Sequence, residues 1–311
     1  MHIVQICHTP VPVEHYGGTE RVVEALCEGF CELGHQVTLI GPRGFRPIAG
    51  VSRINLDKFS LEMAIKKLPR SFEVIHFHLP FQDIPVELPC VYTIHGNVDD
   101  EKKMKLLPEN CYFISENHAK NHLRQNFVYN GLNPRNIPLG LQKISNRDYF
   151  AFLGRAKLKR KGLSEAKLIA KRLNLPLKIG GGRRFSFNKQ NQYLGQLNNQ
   201  QKFQLLCQAK ALLFPVLWEE PFGLVMIEAL FCGTPVFALE RGSVREVLGM
   251  AQAEGLALLD QSLERLIQKA INFNFDRDPM EIRQYACDNF GHIKMCQGYL
   301  KAYQKVTSNQ N

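Results

Sequence analysis

The chain has 311 residues, 45% hydrophobic and 22% charged, a soluble globular composition with apolar material for two cores. Its formal net charge of +10 suits an anionic partner such as a nucleotide or an acidic membrane surface. The basic residues are not interleaved with aromatics, which argues against a nucleic-acid groove, and no apolar run is long enough to span a bilayer.

In chain order, Ile3 to Cys7 reads as a short buried strand. The chain starts on it with no signal peptide before it, and the nine scattered cysteines are odd in number. Both features predict a reducing, cytoplasmic compartment. A Pro- and Gly-rich loop, His8 to Gly18, precedes a helix for which Thr19 is the expected N-cap and Gly34 the C-terminal cap. Val22, Val23, Leu26, Cys27 and Phe30 recur along it at helical spacing. Cys27 and Cys31 share its face without the companion pair that zinc would need. Strands are predicted at Gln36–Ile40, Val74–His78, Cys90–His95 and Tyr112–Ser115. The stretch from Asn130 to Arg147, broken by Gly131, Pro134, Pro138 and Gly140, reads as an interdomain linker.

A second series follows. Strands are predicted at Tyr149–Leu153, Leu175–Ile179, Ala211–Pro215 and Pro235–Leu239, with helices at Leu163–Leu173 and Phe222–Cys232. The tail from Thr307 to Asn311 reads as disordered. Strand-helix alternation in both halves predicts two doubly wound α/β domains. Ligands of such sheets bind beyond the carboxyl ends of the strands, where Gly17-Gly18, His95-Gly96, Gly154 and Gly180 to Gly182 fall, and this predicts a shared cleft.

Three strings carry chemistry. In the run from Trp218 to Leu230, Glu220 precedes a helix and Glu228 lies two turns into it. Helix-start N–H groups at Phe222, Gly223 and Leu224 favour a phosphate, and Glu228 suits ribose hydroxyls. The competing reading is an acidic helix start with one surface glutamate. The second string runs from Gly154-Arg155 to Lys161-Gly162, with an arginine fork and a mobile ammonium suited to a diphosphate, or simply a solvated basic loop. The third, Tyr16-Gly17-Gly18-Thr19-Glu20-Arg21, is a glycine turn opening a helix without the G-x-G-x-x-G spacing of a dehydrogenase. His95, at a strand end beside Gly96, is a candidate site histidine. His76 and His78 share a strand face but lack a third ligand at metal spacing.

Together with Thr93-Ile94-His95-Gly96, Tyr129-Asn130-Gly131-Leu132 and Gly233-Thr234-Pro235, these strings resemble the family 4 retaining glycosyltransferases, in the family's order over most of the chain. The resemblance implies the GT-B fold, two Rossmann-like doubly wound domains facing a central cleft. It implies an acceptor-side domain at 1–146, a nucleotide-sugar domain at 147–288, and a last helix at 289–311 crossing back to the first domain. The expected reaction moves a hexose from a nucleoside diphosphate sugar, UDP- or GDP-linked, to an acceptor hydroxyl with retention. No cofactor and no metal are implied.

By the same resemblance Arg155 and Lys161 hold the diphosphate with the amides around Phe222, Gly223 and Leu224. Glu228 holds the ribose, Glu220 the sugar hydroxyls, and His95 sits near the sugar. Gly17 and Gly18 line the phosphate and acceptor side, and Tyr193, Gly195 and Leu197 the base. The acceptor is left open among a glycan, a lipid-linked molecule and a small molecule, and the basic surface allows peripheral contact at the inner face of a membrane. Three stretches depart from the family: a compressed segment from Gly182 to Tyr193 carrying Arg183 and Arg184, an irregular stretch after Glu246, and a small acceptor half from Gly41 to Pro89. They leave open a degenerate nucleotide-sugar-binding partner protein, or an epimerase or hydrolase on the same fold.

Overall fold

The computed structural model describes residues 1–15, 17–79, 88–182 and 189–308. Tyr16, Arg183, Arg184 and the tail residues 309–311 lie outside the described residues. The chain divides into two compact units: Met1–Asn133 with Phe290–Asn311, and Pro134–Asn289.

The first unit is built on a parallel sheet of β1 (His2–Cys7), β2 (Gln36–Gly41), β3 (Val51–Asn55), β4 (Val74–His78), β5 (Cys90–Ile94) and β6 (Cys111–Phe113), in the order β3-β2-β1-β4-β5-β6. Its helices are α1 (Gly18–Glu32), α2 (Leu61–Lys66), α3 (Glu101–Lys105) and α4 (Glu116–Asn121). The inner strands are buried on both faces and mostly apolar, with Gln5, His76, His78 and Thr93 as buried polar exceptions. Val4, Ile6, Ile75, Phe77, Tyr92 and Phe113 form the centre of one core.

The second unit repeats the plan with β7 (Phe150–Leu153), β8 (Leu177–Gly180), β9 (Asn191–Gly195), β10 (Ala211–Phe214), β11 (Val236–Leu239) and β12 (Ala257–Asp260). Its order is β12-β11-β10-β7-β8-β9, again parallel. The helices are α5 (Leu163–Arg172), α6 (Asn199–Gln208), α7 (Leu224–Phe231), α8 (Val244–Ala253), α9 (Leu263–Ile271) and α10 (Pro279–Phe290). Phe150, Phe152, Ile169, Leu213 and Phe237 lie at the centre of its core.

The last helix, α11 (His292–Ser308), belongs to the first unit. Small residues let it approach closely: a Cβ on Gly29 of α1 would stand 2.6 Å from Cys296 Sγ, and one on Gly298 2.8 Å from Val128 Cγ1. The backbone joins as well, with Leu132 N donating to Phe290 O at 2.9 Å and His292 N to Leu132 O at 3.0 Å.

Several expectations change. The units divide at 133/134 rather than at 146/147, and the stretch expected to be a linker is anchored. Arg147 is buried, and its guanidinium donates to the carbonyls of Gly140, Gln142, Ala209 and Gly233 and to Thr234 Oγ1 at 2.8–3.2 Å. Five acceptors around one planar cation fix residues 140–147 to the second unit. Helix α1 starts at Gly18 with Gly17 as its cap, so Thr19 is inside the helix and makes no cap. The stretch after Glu246 is not irregular: α8 runs unbroken through Gly249 and ends before Gly255, whose φ is +72°. Thr307 and Ser308 are helical, bonding back to Tyr303 O and Gln304 O.

Candidate active site

In the second unit the chemistry gathers at the carboxyl ends of β7 and β10. The chain leaves β7 through Gly154 and Arg155, makes a single 3-10 turn at Lys159–Lys161, and enters α5 at Gly162. Gly162 has φ +74°, and a Cβ there would lie 1.8 Å from Pro215 O. Only glycine allows this approach, and it brings the Lys161 turn against the loop that follows β10.

That loop carries Trp218 and Glu220. Lys161 Nζ donates to Glu220 Oε2 at 2.9 Å, and Trp218 Nε1 donates to the same oxygen at 2.8 Å. The Trp218 ring lies 4.6 Å from Lys161 Nζ and 4.3 Å from the Arg160 guanidinium, so it also serves as a cation-π platform. The backbone of Glu220 is pinned from the other side, since Ser243 N donates to Glu220 O at 2.9 Å. Gly242 makes that contact feasible: its φ is +61°, and a Cβ would stand 2.4 Å from both N and O of Glu220.

Helix α7 starts at Leu224, with Gly223 as a left-handed cap at φ +78°, ψ 57°. The start is later than the spacing suggested, because Phe222 is buried ahead of the cap as an aromatic anchor. The first-turn N–H groups lacking intrahelical partners by position are those of Gly223, Leu224 and Val225, not of Phe222. Glu228 follows on the buried side of α7, 3% exposed, and Glu220 is 7% exposed. Neither is the surface glutamate of the competing reading.

Glu228 has a partner that sequence reasoning missed. Lys202 Nζ of α6 donates to Glu228 Oε1, and both side chains are buried. The signal was present: Lys202 shares the α6 face of Leu205, Leu206 and Ala209, all buried. A lysine on an apolar helix face needs a buried acid, because an unpaired charge there is very costly.

The residues expected near a base are placed differently from one another. Tyr193 and Gly195 are on β9, the edge strand, rather than in a loop, and Leu197 lies beyond its end. The Tyr193 ring lies 5.3 Å from Lys167 Nζ. Leu197 packs over Gly180, where a Cβ would meet its Cδ1 at 2.9 Å. Arg155 is exposed.

In the first unit His95 follows β5, half-buried, with Nε2 at 3.0 Å from Nδ1 of His78. Burial, then the neighbouring His8, pushes its pKa down to about 3. His95 is therefore a neutral ring at physiological pH. His76 and His78 are not poised as ligands: His76 bonds Tyr303 and Thr93, and His78 bonds Gln5 and His95. Gly17 caps α1, where a Cβ would meet the Glu20 carboxylate at 2.4 Å, whereas Gly18 has open space around it.

Residues 140–286 match the family model described as glycosyl transferases group 1, and residues 16–134 match the model described as glycosyltransferase family 4. No curated protein sequence matches the chain. Among solved structures the chain is similar to AviGT4, a glycosyltransferase involved in avilamycin A biosynthesis, with 18% identity, TM-score 0.78, and coverage of 99% of this chain and 98% of that one. It is also similar to a sucrose-phosphate synthase from Thermosynechococcus elongatus, with 18% identity, TM-score 0.71 and 99% coverage of each. A third similar structure is Anabaena HepE in complex with UDP-glucose, with 15% identity, TM-score 0.69, and coverage of 99% and 100%.

Proposed function

The chain belongs to the family 4, group 1 glycosyltransferases of GT-B fold, and on that premise we propose that it transfers a hexose from a nucleoside diphosphate sugar to an acceptor hydroxyl with retention of configuration. The observation that carries the proposal is the entry to α7. A left-handed Gly223 opens the helix between two buried carboxylates, Glu220 and Glu228, each held by a lysine.

As the glycosidic bond breaks, negative charge grows on the departing diphosphate. Lys161, Arg155 and the N–H groups opening α7 would meet it with fixed positive charge and dipoles, which lowers the barrier without reorganisation. These groups support a reaction that needs no metal. Lys161 gives one of its three N–H donors to Glu220 and keeps others for phosphate. Lys161 and Trp218 both donate to the Glu220 carboxylate at Oε2. Oε1 is then the oxygen to accept from a sugar hydroxyl. Glu228, oriented by Lys202, is assigned to the ribose. Tyr193, Gly195 and Leu197 are assigned to the base, Gly17 and Gly18 to the phosphate and acceptor side, and His95 to the sugar. The family premise favours a UDP- or GDP-linked donor, and HepE, with which the chain shares its fold, has been crystallised with UDP-glucose.

Peripheral contact with an anionic membrane surface, on its cytoplasmic side, is part of the proposal. It is supported by the +10 charge and by Leu106 and Leu123, 63% and 85% exposed, beside Lys102, Lys103 and Lys105. Arg124 ties the two leucine segments, donating to Leu107 O at 3.1 Å. No helix among the described residues is long and apolar enough to cross a membrane.

The test is thermal stability of the protein with UDP, GDP, ADP and CMP and their common sugar conjugates. A ligand at about a hundredfold its Kd adds roughly 2.7 kcal/mol. A shift with one nucleotide names the donor, and product analysis by mass spectrometry then separates transfer from hydrolysis or epimerisation. No shift with any of them would sink the donor assignment.

A further inference from the structure

The first unit contains a continuous chain of polar side chains with no solvent contact. Gln5 of β1, His76 and His78 of β4, Thr93 of β5, and Tyr299 and Tyr303 of α11 are each 0% exposed. Gln5 and His76 are register partners on β1 and β4, His78 is two residues on along the same face, and Tyr299 and Tyr303 are one turn apart on α11. Burying these groups is tolerable only because each finds another, since an unpaired polar group in the interior is costly.

The bonds run in one line. His95 Nε2 meets His78 Nδ1 at 3.0 Å, and His78 Nε2 meets Gln5 Oε1 at 2.6 Å. Gln5 Nε2 donates to Tyr303 OH at 3.3 Å, and Tyr303 OH meets His76 Nδ1 at 2.7 Å. His76 Nε2 meets Thr93 Oγ1 at 2.6 Å, which meets Tyr299 OH at 2.8 Å.

A neutral imidazole has one donor and one acceptor nitrogen, so each ring passes a direction along the line. Three rings here are neutral: burial pushes His76 and His78 well below the usual histidine range and His95 down to about 3. The Gln5 amide is the one member whose two ends differ in kind. Its oxygen can only accept, so His78 carries its proton on Nε2. His78 Nδ1 is then an acceptor, and His95 must donate to it from Nε2. On the other side the Gln5 amide nitrogen donates to Tyr303, which donates to His76 Nδ1, and His76 donates from Nε2 to Thr93. Turning the amide over would reverse every bond at once.

We infer that this buried chain sets the tautomer of His95, holding its proton on Nε2 and presenting Nδ1 as a lone-pair acceptor, with Gln5 and His78 as positioning residues. A free imidazole in water samples both tautomers; the Nε2 side of this half-buried ring is instead wired to an amide inside the sheet and, through it, to α11. The consequence for catalysis rests on the proposed transferase reading. The tautomer itself does not.

The test is long-range 15N–1H NMR of protein labelled at histidine ring nitrogens, with His95 identified by the signal lost in His95→Asn. The expected result is a single neutral tautomer, protonated at Nε2. A mixture, or a proton on Nδ1, in the unaltered protein overturns the inference. Gln5→Leu removes the directing amide and should give a mixture at His95. Gln5→Glu keeps an accepting oxygen towards His78 and should preserve the single form. A pure Nε2–H tautomer in a folded Gln5→Leu protein would also overturn the inference. In transfer assays Gln5→Leu should lower kcat roughly tenfold with little change in donor KM, the scale of one misdirected hydrogen bond to the sugar, and Gln5→Glu should recover it. Tautomer mixing with unchanged kcat would uphold the wiring and remove His95 from the proposed reaction.

Discussion

Lys161 Nζ lies 2.9 Å from Glu220 Oε2, so the residue assigned to the phosphate and the one assigned to the sugar form a single charged unit. Lys161→Ala should lower turnover at least about tenfold, or about 1.4 kcal/mol of barrier. Glu220→Gln should cost a comparable factor. The double variant should be little worse than the worse single one, with a coupling of roughly 1 kcal/mol in a mutant cycle of kcat/KM. Near-normal turnover in Lys161→Ala would remove that lysine from the mechanism.

The buried Lys202–Glu228 pair allows stability and binding to be separated. Lys202→Met strands a carboxylate in the interior and should destabilise by about 3–5 kcal/mol. Lys202→Met with Glu228→Leu replaces both charges by apolar groups and should recover most of that loss. Thermal melts measure both changes. If Glu228 binds ribose, the double variant should nevertheless lose the nucleotide-induced rise in melting temperature. A double variant that still responds to nucleotide like the parent would refute the ribose assignment.

A composition count does not tell Gly242 from Gly249, yet the two should respond oppositely to alanine. At Gly242 the left-handed backbone and the approach to Glu220 should cost at least about 2 kcal/mol and lower activity. At Gly249, inside α8, the nearest atom a Cβ meets is Arg245 Cγ at 3.9 Å, and alanine should add up to about 1 kcal/mol. Denaturant melts of the two variants check this, and a harmless Gly242→Ala would contradict the role given to the turn.

Stability should fall as pH drops below 6.5. His95 and His118 are pushed down to about 3 and His76 and His78 well below the usual range, burial being the leading cause in each. Between the unfolded value and those folded values the unfolded chain binds protons that the folded one refuses, so each histidine withdraws stability as pH falls through that window. Glu24, pushed up to about 7 by burial, works the other way, its share of stability falling as pH rises from 4.5 towards 7. His35 is pushed down as well, so the histidines outnumber Glu24, and the melting temperature should be clearly lower at pH 5.5 than at 7.5. A flat profile over that range would mean these rings are not held neutral.

What the sequence showed and what it hid follow from burial. The inner strands β1, β4, β5, β7, β10 and β11 are buried along nearly their whole length and rich enough in apolar residues to be legible, despite Gln5, His76, His78 and Thr93, as was α1 from its helical spacing. The edge strands β3, with exposed positions, and β9, only partly buried over its first four residues, gave no apolar run to recognise, and α2, α3 and α4 are too short for a period to repeat. Glu220, Glu228 and Lys161 could be singled out because they sit in local strings. Lys202 could not be paired with Glu228, since nothing in the sequence aligns α6 with α7. The Gln5–Tyr303 bond joins residues 298 positions apart, beyond the reach of any local pattern.

The membership of α11 in the first unit has a consequence during synthesis. A ribosome finishes Met1–Asn133 long before it makes Tyr299 and Tyr303, yet those two phenols cover Gln5, His76 and Thr93. The nascent first unit must therefore wait with its sheet face uncapped while all of Pro134–Asn289 emerges. The second unit, contiguous in the chain, can close first, and the earlier-made half is the later to mature.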